Sequence, residues 1–248
     1  MSDRSIKSAE RTLQILEHFA RVQQPLTVGY LAKTLSVPQP SMSMLLRNIA
    51  NLGYLDYDRN ERTYLPTIRT LLLGSWLERT LIRGRSFFQH IDEVHEATGE
   101  GVYVSRQNGA FVQYILGHRV RFPIRSNERE IRRNVLTRTT CGPALVARKP
   151  DDEILGWINR CNSQACDQQA RVARETYLDR IARVREKGYS ESRGDYIPGF
   201  SGVSVAFTLP LGGSPVAIAV GGPTDEIEVK KGRIVSALRG LVEQYQAA

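Results

Sequence analysis

The side chains that most often carry out chemistry are few in this sequence and widely separated. The 248 residues include 4 histidines and 3 cysteines. His90 and His95 are five positions apart, and so are Cys161 and Cys166, a spacing that does not place both members of a pair on one face of a helix. The P-loop, the Gly-x-Ser-x-Gly elbow and the Rossmann glycine fingerprint do not occur. We therefore expect no metal site and no cofactor.

Cys141 is the strongest candidate for a catalytic residue, because it lies at the predicted start of a helix in the segment TTCGPALVA. A helix N-terminus lowers the pKa of a thiol and offers N–H donors to an oxyanion. The sequence assigns no histidine or acid to this thiol. The alternatives are that Cys141 lines a ligand pocket or packs as a small side chain.

Arginines are concentrated between residues 119 and 138, where seven of them accompany two glutamates. They form either a solvated loop or a site for a carboxylate ligand or DNA phosphates. The net charge of the chain is +8, with +3 in residues 1–82, +4 in residues 83–140 and +1 in the remainder. This excess is compatible with a polyanionic partner and with an ordinary solvated surface.

The first 66 residues contain the elements that would position a nucleic-acid site. Helical periodicity predicts a first helix with inward residues Ile6, Ala9, Leu13, Leu16, Phe19 and Ala20. Thr27 is the candidate N-cap of a short second helix. Pro40 fits the first turn of a third helix, whose predicted inward residues are Leu45, Leu46, Ile49 and Leu52. A two-stranded ribbon with a polar tip is predicted for residues 54–65.

This order is that of a winged helix-turn-helix domain, in which the third helix enters the major groove and the ribbon lies beside the phosphate backbone. A small helical bundle without a ligand remains the alternative. Residues 67–83 are predicted to form a linker helix that packs either on a second copy or on its own chain. Its apolar face consists of Ile68, Leu71, Leu72, Trp76 and Leu77.

Residues 84–248 are predicted to form an α+β domain. A hairpin is expected at 101–105 and 111–116, with an Asn108-Gly109 turn. Helices are predicted near 141–147, 151–160, 170–187 and 225–245, and strands at 203–209 and 216–220.

Residues 196–224 carry no charge, but their prolines and glycines argue against a membrane span. With no apolar signal region at the N-terminus and too few cysteines for a disulfide framework, we expect a cytoplasmic protein without membrane contact.

Several segments resemble the IclR family of bacterial transcriptional regulators, over essentially the full length of the chain. The segments follow the family's order; they are SIKSAERTLQILEHF, PLTVGYLAKTLSVPQPSMSMLLRNIANLGYL, RTYLPTIRTLLLG, HEATGEGVYVS, TTCGPALVA, KGYSESRGDYIPGFSGVSVAFTLPL and AIAVGGP. Each segment is a weak signal, whereas their shared order is specific. The resemblance implies a winged helix-turn-helix that binds a palindromic double-stranded operator and a GAF-like effector-binding domain. It also implies a homodimer or tetramer with no catalytic activity.

The recognition helix departs from the family pattern, which commonly opens with Lys-Ser-Thr and has an arginine before the leucine pair. Met44 stands at that arginine position, so a bidentate contact with guanine is not available there. The resemblance and the wing together give these candidate DNA-binding residues: Thr27, Gln39, Pro40, Ser41, Ser43, Met44, Arg47, Arg59 and Arg62.

The resemblance also places an effector pocket near Pro123, at Ile124, Ser126, Thr140, Cys141, Gly142, Ser192, Phe200, Gly202, Ala219 and Gly221. Small residues at 202, 219 and 221 predict an enlarged, drier cavity. The N–H groups of residues 140–142 are predicted to hold a carboxylate. We therefore expect an aromatic or medium-sized organic acid as effector, rather than a ligand the size of glyoxylate.

Three functions follow from these patterns. The favoured one is a ligand-responsive transcription factor, which either represses or activates. The second is a sensory or scaffolding protein whose helix-turn-helix contacts protein. The third is an enzyme that uses Cys141.

Overall fold

The computed structural model describes residues 6–81, 87–118, 133–165, 171–209 and 213–246. The chain forms two compact units, Met1–Leu77 and Glu78–Ala248. The boundary between the units falls inside the predicted linker segment. Among the described residues, no helix combines the length and the apolar character needed to cross a bilayer.

The N-terminal unit is a winged helix-turn-helix followed by the start of a long helix. Its elements are α1 (Lys7–Val22), β1 (Leu26–Thr27), α2 (Val28–Thr34), α3 (Gln39–Asn51), β2 (Leu55–Asp58), β3 (Thr63–Pro66) and α4 (Ile68–Leu81). The three strands form an antiparallel sheet in the order β1-β3-β2. The Thr27 hydroxyl caps α2 by accepting a hydrogen bond from the Tyr30 N–H at 3.2 Å, as the sequence predicted.

The core of this unit differs from the predicted apolar faces in two helices. In α1, the buried residues are Ile15, His18 and Phe19, whereas Ile6 and Leu13 are exposed. The predicted stripe was correct for Phe19, which is buried, and for Leu16, which packs against the core. It was wrong for Ile6, Ala9, Leu13 and Ala20, which are exposed, because the helix turns its Ile15–Phe19 side toward its neighbours.

In α3, the buried residues are Met42, Leu46 and Ile49. Leu52 had been predicted to point inward, but it is exposed. It follows the last helical residue, where the chain turns at Gly53 with a φ of 80°. Met42 takes the inward position one turn earlier.

The C-terminal unit is an α+β domain built on one antiparallel sheet. Its elements are α5 (Phe87–Thr98), β4 (Gly101–Asn108), β5 (Phe111–His118), β6 (Arg133–Val135), a 3-10 turn (Leu136–Arg138), α6 (Cys141–Val146), α7 (Asp151–Ser163), α8 (Arg174–Lys187), β7 (Ser190–Ile197), β8 (Phe200–Phe207), β9 (Val216–Pro223) and α9 (Thr224–Gln246). The strand order is β6-β5-β4-β9-β8-β7.

Two details of this sheet differ from the predictions. The β4–β5 turn consists of Gly109 and Ala110, because Asn108 already pairs with Phe111. Only Gly109, with a φ of 61°, needs the left-handed conformation. The edge strand β7 was not recognised from periodicity, since its sequence SESRGDYI is mostly polar.

The central strands of the sheet have two chemically different faces. Val102, Val104, Val203, Val205, Ile218 and Val220 pack with α5 and α9 in one core. The opposite face carries small side chains, and cross-strand pairing aligns Gly202 with Gly221 and Ser204 with Ala219. Helix α6 packs on the small face, because only short side chains leave room for a helix so close to the strands.

The TGE segment joins the sheet to the last helix. Glu100 is buried, and Lys230 of α9 pairs with its carboxylate while also reaching Glu226 at 2.9 Å. A β-carbon at Gly222 would lie 2.3 Å from Oε2 of Glu100. Glycine at this position therefore makes room for a buried carboxylate.

Candidate DNA-binding surface and effector cleft

The third helix presents a polar face free of acidic side chains. Gln39, Pro40 and Arg47 are exposed, and Ser41 and Ser43 are half-buried. Met44, at 69% exposure, is the largest apolar side chain on this face. Arg47 donates from Nε and Nη2 to the Ser43 hydroxyl at 3.3 and 2.9 Å. This contact fixes the guanidinium along the helix.

The wing lies close to the same guanidinium. Burial raises the pKa of Tyr64, and Tyr57 raises it further, while the positive charge of Arg47 opposes the shift. The rings of Tyr57 and Tyr64 pack 4.6 Å apart across the ribbon. Helix α3 also packs against β2 of the wing, so the two elements are neighbours in the N-terminal unit.

The wing tip is held by its own backbone. Asp58 Oδ1 accepts hydrogen bonds from the N–H groups of Asn60 at 2.7 Å and Glu61 at 3.1 Å. Arg59 and Arg62 flank this turn and are exposed, and Arg62 has a φ of 55°. Thr27 of β1 pairs with Thr63 of β3 and also caps α2; its hydroxyl accepts in this role and can still donate.

In the C-terminal unit, the start of α6 meets the edge strand. The hydroxyl oxygens of Thr140 and Ser192 are 2.6 Å apart. Gly202 lies beside them, since a β-carbon there would be 3.4 Å from Thr140 Oγ1 and 3.1 Å from the Val220 carbonyl oxygen. The structure thus brings together three of the residues that the resemblance placed in a pocket.

One of the three N–H donors expected to hold a carboxylate at residues 140–142 is already engaged. The Gly142 N–H already donates to Thr139 Oγ1 at 2.9 Å. Helix α6 is only 6 residues long, so its dipole is small. Packing alone requires glycine at position 142, because a β-carbon would lie 1.8 Å from the Leu136 carbonyl oxygen.

Cys141 points into the small face of the sheet and is 1% exposed. Burial raises the pKa of its thiol, and the neighbouring hydroxyls of Ser105, Ser204 and Tyr114 oppose the shift only in part. A neutral, buried thiol is a poor nucleophile. These three hydroxyl residues were not predicted. Alternation along the strands is the signal that could have found Ser105 and Ser204, since both pair with alanines of β9.

Aromatic rings cover part of the space that glycine was expected to leave open. The Phe200 and Tyr103 rings approach Gly221 so closely that a β-carbon would lie 3.0 and 3.3 Å from them. The Tyr103 ring is also 6.1 Å from that of Tyr114. Gly221 therefore accommodates aromatic side chains instead of enlarging a cavity. Ala219 is buried and pairs with Tyr103 and Ser204.

Two predicted pocket residues, Ile124 and Ser126, lie outside the described residues, and so does most of the arginine-rich segment. Arg133 starts β6, and Arg138 ends the 3-10 turn just before Thr140.

A winged helix-turn-helix joined to a separate α+β domain is the organisation of a DNA-binding transcriptional regulator. The model of the IclR helix-turn-helix domain matches residues 8–59. The model of the bacterial transcriptional regulator IclR C-terminal domain matches residues 77–246. The chain belongs to the IclR family of bacterial transcriptional regulators, as the resemblance predicted.

Individual relatives are distant but extensive. The HTH-type transcriptional regulator KdgR of Escherichia coli is 20% identical over 220 residues, covering 89% of this chain and 83% of KdgR. The regulator XynR of the same organism is 21% identical, covering 75% of this chain and 73% of XynR. The crystal structure of an IclR regulator from Alicyclobacillus acidocaldarius is 20% identical, covers 98% of both chains and has a TM-score of 0.62.

Proposed function

We propose that this chain is a ligand-responsive regulator in which α3 and the wing bind a palindromic operator. The observation that supports this most directly is the packing of α3 against β2 of the wing. Helix α3 carries Arg47 and no acidic side chain, and the wing tip carries Arg59 and Arg62. Polar Gln39, Ser41 and Ser43 supply base or phosphate contacts, and Met44 can make an apolar contact with a thymine methyl group.

We propose that the protein acts as a homodimer, and that two such dimers can form a tetramer. The apolar residues Ile68, Leu71 and Leu72 of α4 are exposed, and so are Leu13 of α1 and Ile6 just before it. Several exposed apolar residues on one helix are typical of protein interfaces. A second copy that covers them would bring two recognition helices onto successive major grooves, about 34–36 Å apart.

We propose that the C-terminal unit binds a small organic acid where the start of α6 meets the edge strand β7. The Thr140–Ser192 pair provides polar contacts there, and the rings of Tyr114, Tyr103 and Phe200 provide flat apolar walls. This combination favours a ligand with an apolar or aromatic body.

A gel shift with DNA flanking the protein's own gene tests the DNA-binding half of the proposal. Specific, saturable binding that weakens steeply with added salt is expected. Binding no tighter than to a scrambled fragment would contradict the operator. It would favour the alternative in which the helix-turn-helix contacts protein.

A further inference from the structure

A cationic group lies on α8 and β7, the elements beside the Thr140–Ser192 pair. The sequence patterns did not identify its residues. Arg180 of α8 donates from Nη1 to the Tyr196 hydroxyl. Its guanidinium carbon is 5.5 Å from the centre of the same ring. The tyrosine is therefore held by both a hydrogen bond and a cation–π contact.

Arg180 has donor capacity left for a ligand. Its Nη2 lies 3.4 Å from Asp195 Oδ2, a distance longer than a charge-assisted hydrogen bond. Within the described part of the chain, Tyr196 and Asp195 are its polar partners. A guanidinium carries five N–H donors, and the Arg180 side chain remains 31% exposed.

The group adjoins the Thr140–Ser192 pair. Both Ser192 and Tyr196 belong to β7, whose pairing with β8 is irregular between Arg193 and Ile197. Helix α8, which carries Arg180, packs against both α6 and β7. Arg138 ends the 3-10 turn two residues before Thr140, and its positive charge acts on Tyr196.

The charges around Tyr196 act on its ionisation. Burial raises the pKa of Tyr196, and the positive charges of Arg180 and Arg138 oppose the shift. The Tyr177 hydroxyl, whose pKa is affected by Tyr196 and Arg180, is buried and has no hydrogen-bond partner among the described residues. Positive charge and polar groups therefore surround Tyr196.

We infer that Arg180, oriented by Tyr196 and assisted by Arg138, anchors the carboxylate group of the effector. This deepens the proposed function and rests on it. The fork of a guanidinium fits a carboxylate in two parallel hydrogen bonds. The ligand's body would then extend past Thr140 and Ser192 toward the ring of Phe200. The anchor replaces the N–H site expected at residues 140–142, whose Gly142 donor is already engaged.

The test uses calorimetry on the full chain with four acids, acetate, hexanoate, benzoate and phenylacetate, each paired with its neutral amide. At least one acid should bind while its amide does not. Arg180→Gln should weaken that binding about tenfold or more, and Arg138→Gln should weaken it less. Arg183→Gln, which removes an exposed arginine of the same helix, should leave it unchanged.

Three outcomes would overturn the anchor: unchanged acid binding by folded Arg180→Gln, no binding of any acid at millimolar concentration, or tighter binding of inorganic phosphate than of every acid. Thermal melts establish that each variant is folded. Should Arg180→Gln not fold, Arg180→Lys keeps the charge but loses the fork and should still weaken binding. The operator gel shift is measured in parallel, so that loss of the anchor is distinguished from loss of DNA binding.

Discussion

Gly142 sits directly against the Leu136 carbonyl oxygen, with no space for a side chain. The same glycine donates its N–H to Thr139 Oγ1, so both its backbone and its missing side chain serve the junction between the 3-10 turn and α6. Beside it, Cys141 fills the small face of the sheet as a neutral thiol. At the level of single residues, this junction is closely packed and has no space for a side chain at position 142.

Gly142→Ala should lower the free energy of unfolding by about 1–3 kcal/mol, because the new methyl group forces the backbone apart. Gly156→Ala is the matched control: Gly156 is exposed in α7, and a β-carbon there meets nothing within 4 Å. It should stabilise by about 0.4–1 kcal/mol. Urea unfolding of both variants measures the difference, and equal effects of the two substitutions would contradict this packing.

The buried thiols should make stability depend on pH in the alkaline range. Burial raises the pKa of Cys141 and of Cys161, so the folded protein holds these protons more tightly than the unfolded chain. Their contribution is complete below the unfolded pKa of about 8.5 and is lost as the pH rises above it.

The urea midpoint of the wild type should therefore fall between about pH 7.5 and about pH 10. Cys141→Ala should shift the whole curve and reduce its slope over this range. An unchanged slope in the folded variant would show that Cys141 titrates normally and is not buried as described.

The wing is an element whose tip is ordered by Asp58 and whose charge comes from two arginines. Because Asp58 accepts from two backbone N–H groups, the turn does not depend on the Arg59 and Arg62 side chains. These arginines can be removed without unfolding the ribbon. Arg62 has a positive φ, so asparagine is its best neutral replacement.

Arg59→Ala combined with Arg62→Asn should weaken binding to operator and unrelated DNA alike, and should reduce the salt slope by up to about two. The control is Arg148→Ala with Arg183→Ala, which removes the same charge from exposed positions of the C-terminal unit. Fluorescence anisotropy at several salt concentrations measures both. If the wing variant binds like the control, the wing does not contact DNA.

At the scale of the whole molecule, the exposed apolar face of α4 is the candidate interface with a second copy. Ile68, Leu71 and Leu72 are neighbours at helical spacing and lie open to solvent in the single chain. The side chains of Trp76 and Leu77, predicted to continue this face, lie outside those described. The proposed second copy would cover the face and link two DNA-binding units.

Leu72→Arg should dissociate the proposed dimer, since an unpaired charge in a buried interface costs several kcal/mol. Sedimentation should then show a species of half the mass with an intact helical spectrum. Val229→Arg is the control, because Val229 is an isolated apolar residue with 87% exposure on α9. A folded Leu72→Arg variant of unchanged mass would exclude α4 from the interface.

Local signals in the sequence determined the element types and the class of protein. The Thr27 cap, Pro40 in the first helical turn and the polar ribbon are short-range features, so the winged helix-turn-helix could be predicted without knowledge of tertiary contacts. The order of segments along the chain likewise identified the family, and alternation predicted most of the sheet.

Only the tertiary structure decided which helix faces are buried and which side chains fill the space beside the glycines of the sheet. Periodicity predicted that Phe19 of α1 is buried, but not that Ile15 joins it in the core while Ile6 and Leu13 remain exposed. A glycine in a sequence suggests space that a ligand could fill. At Gly221, however, the Phe200 and Tyr103 rings occupy that space. Arg180 and Tyr196 are 16 residues apart, and their meeting depends on how α8 packs against an irregular edge strand, which no local pattern encodes.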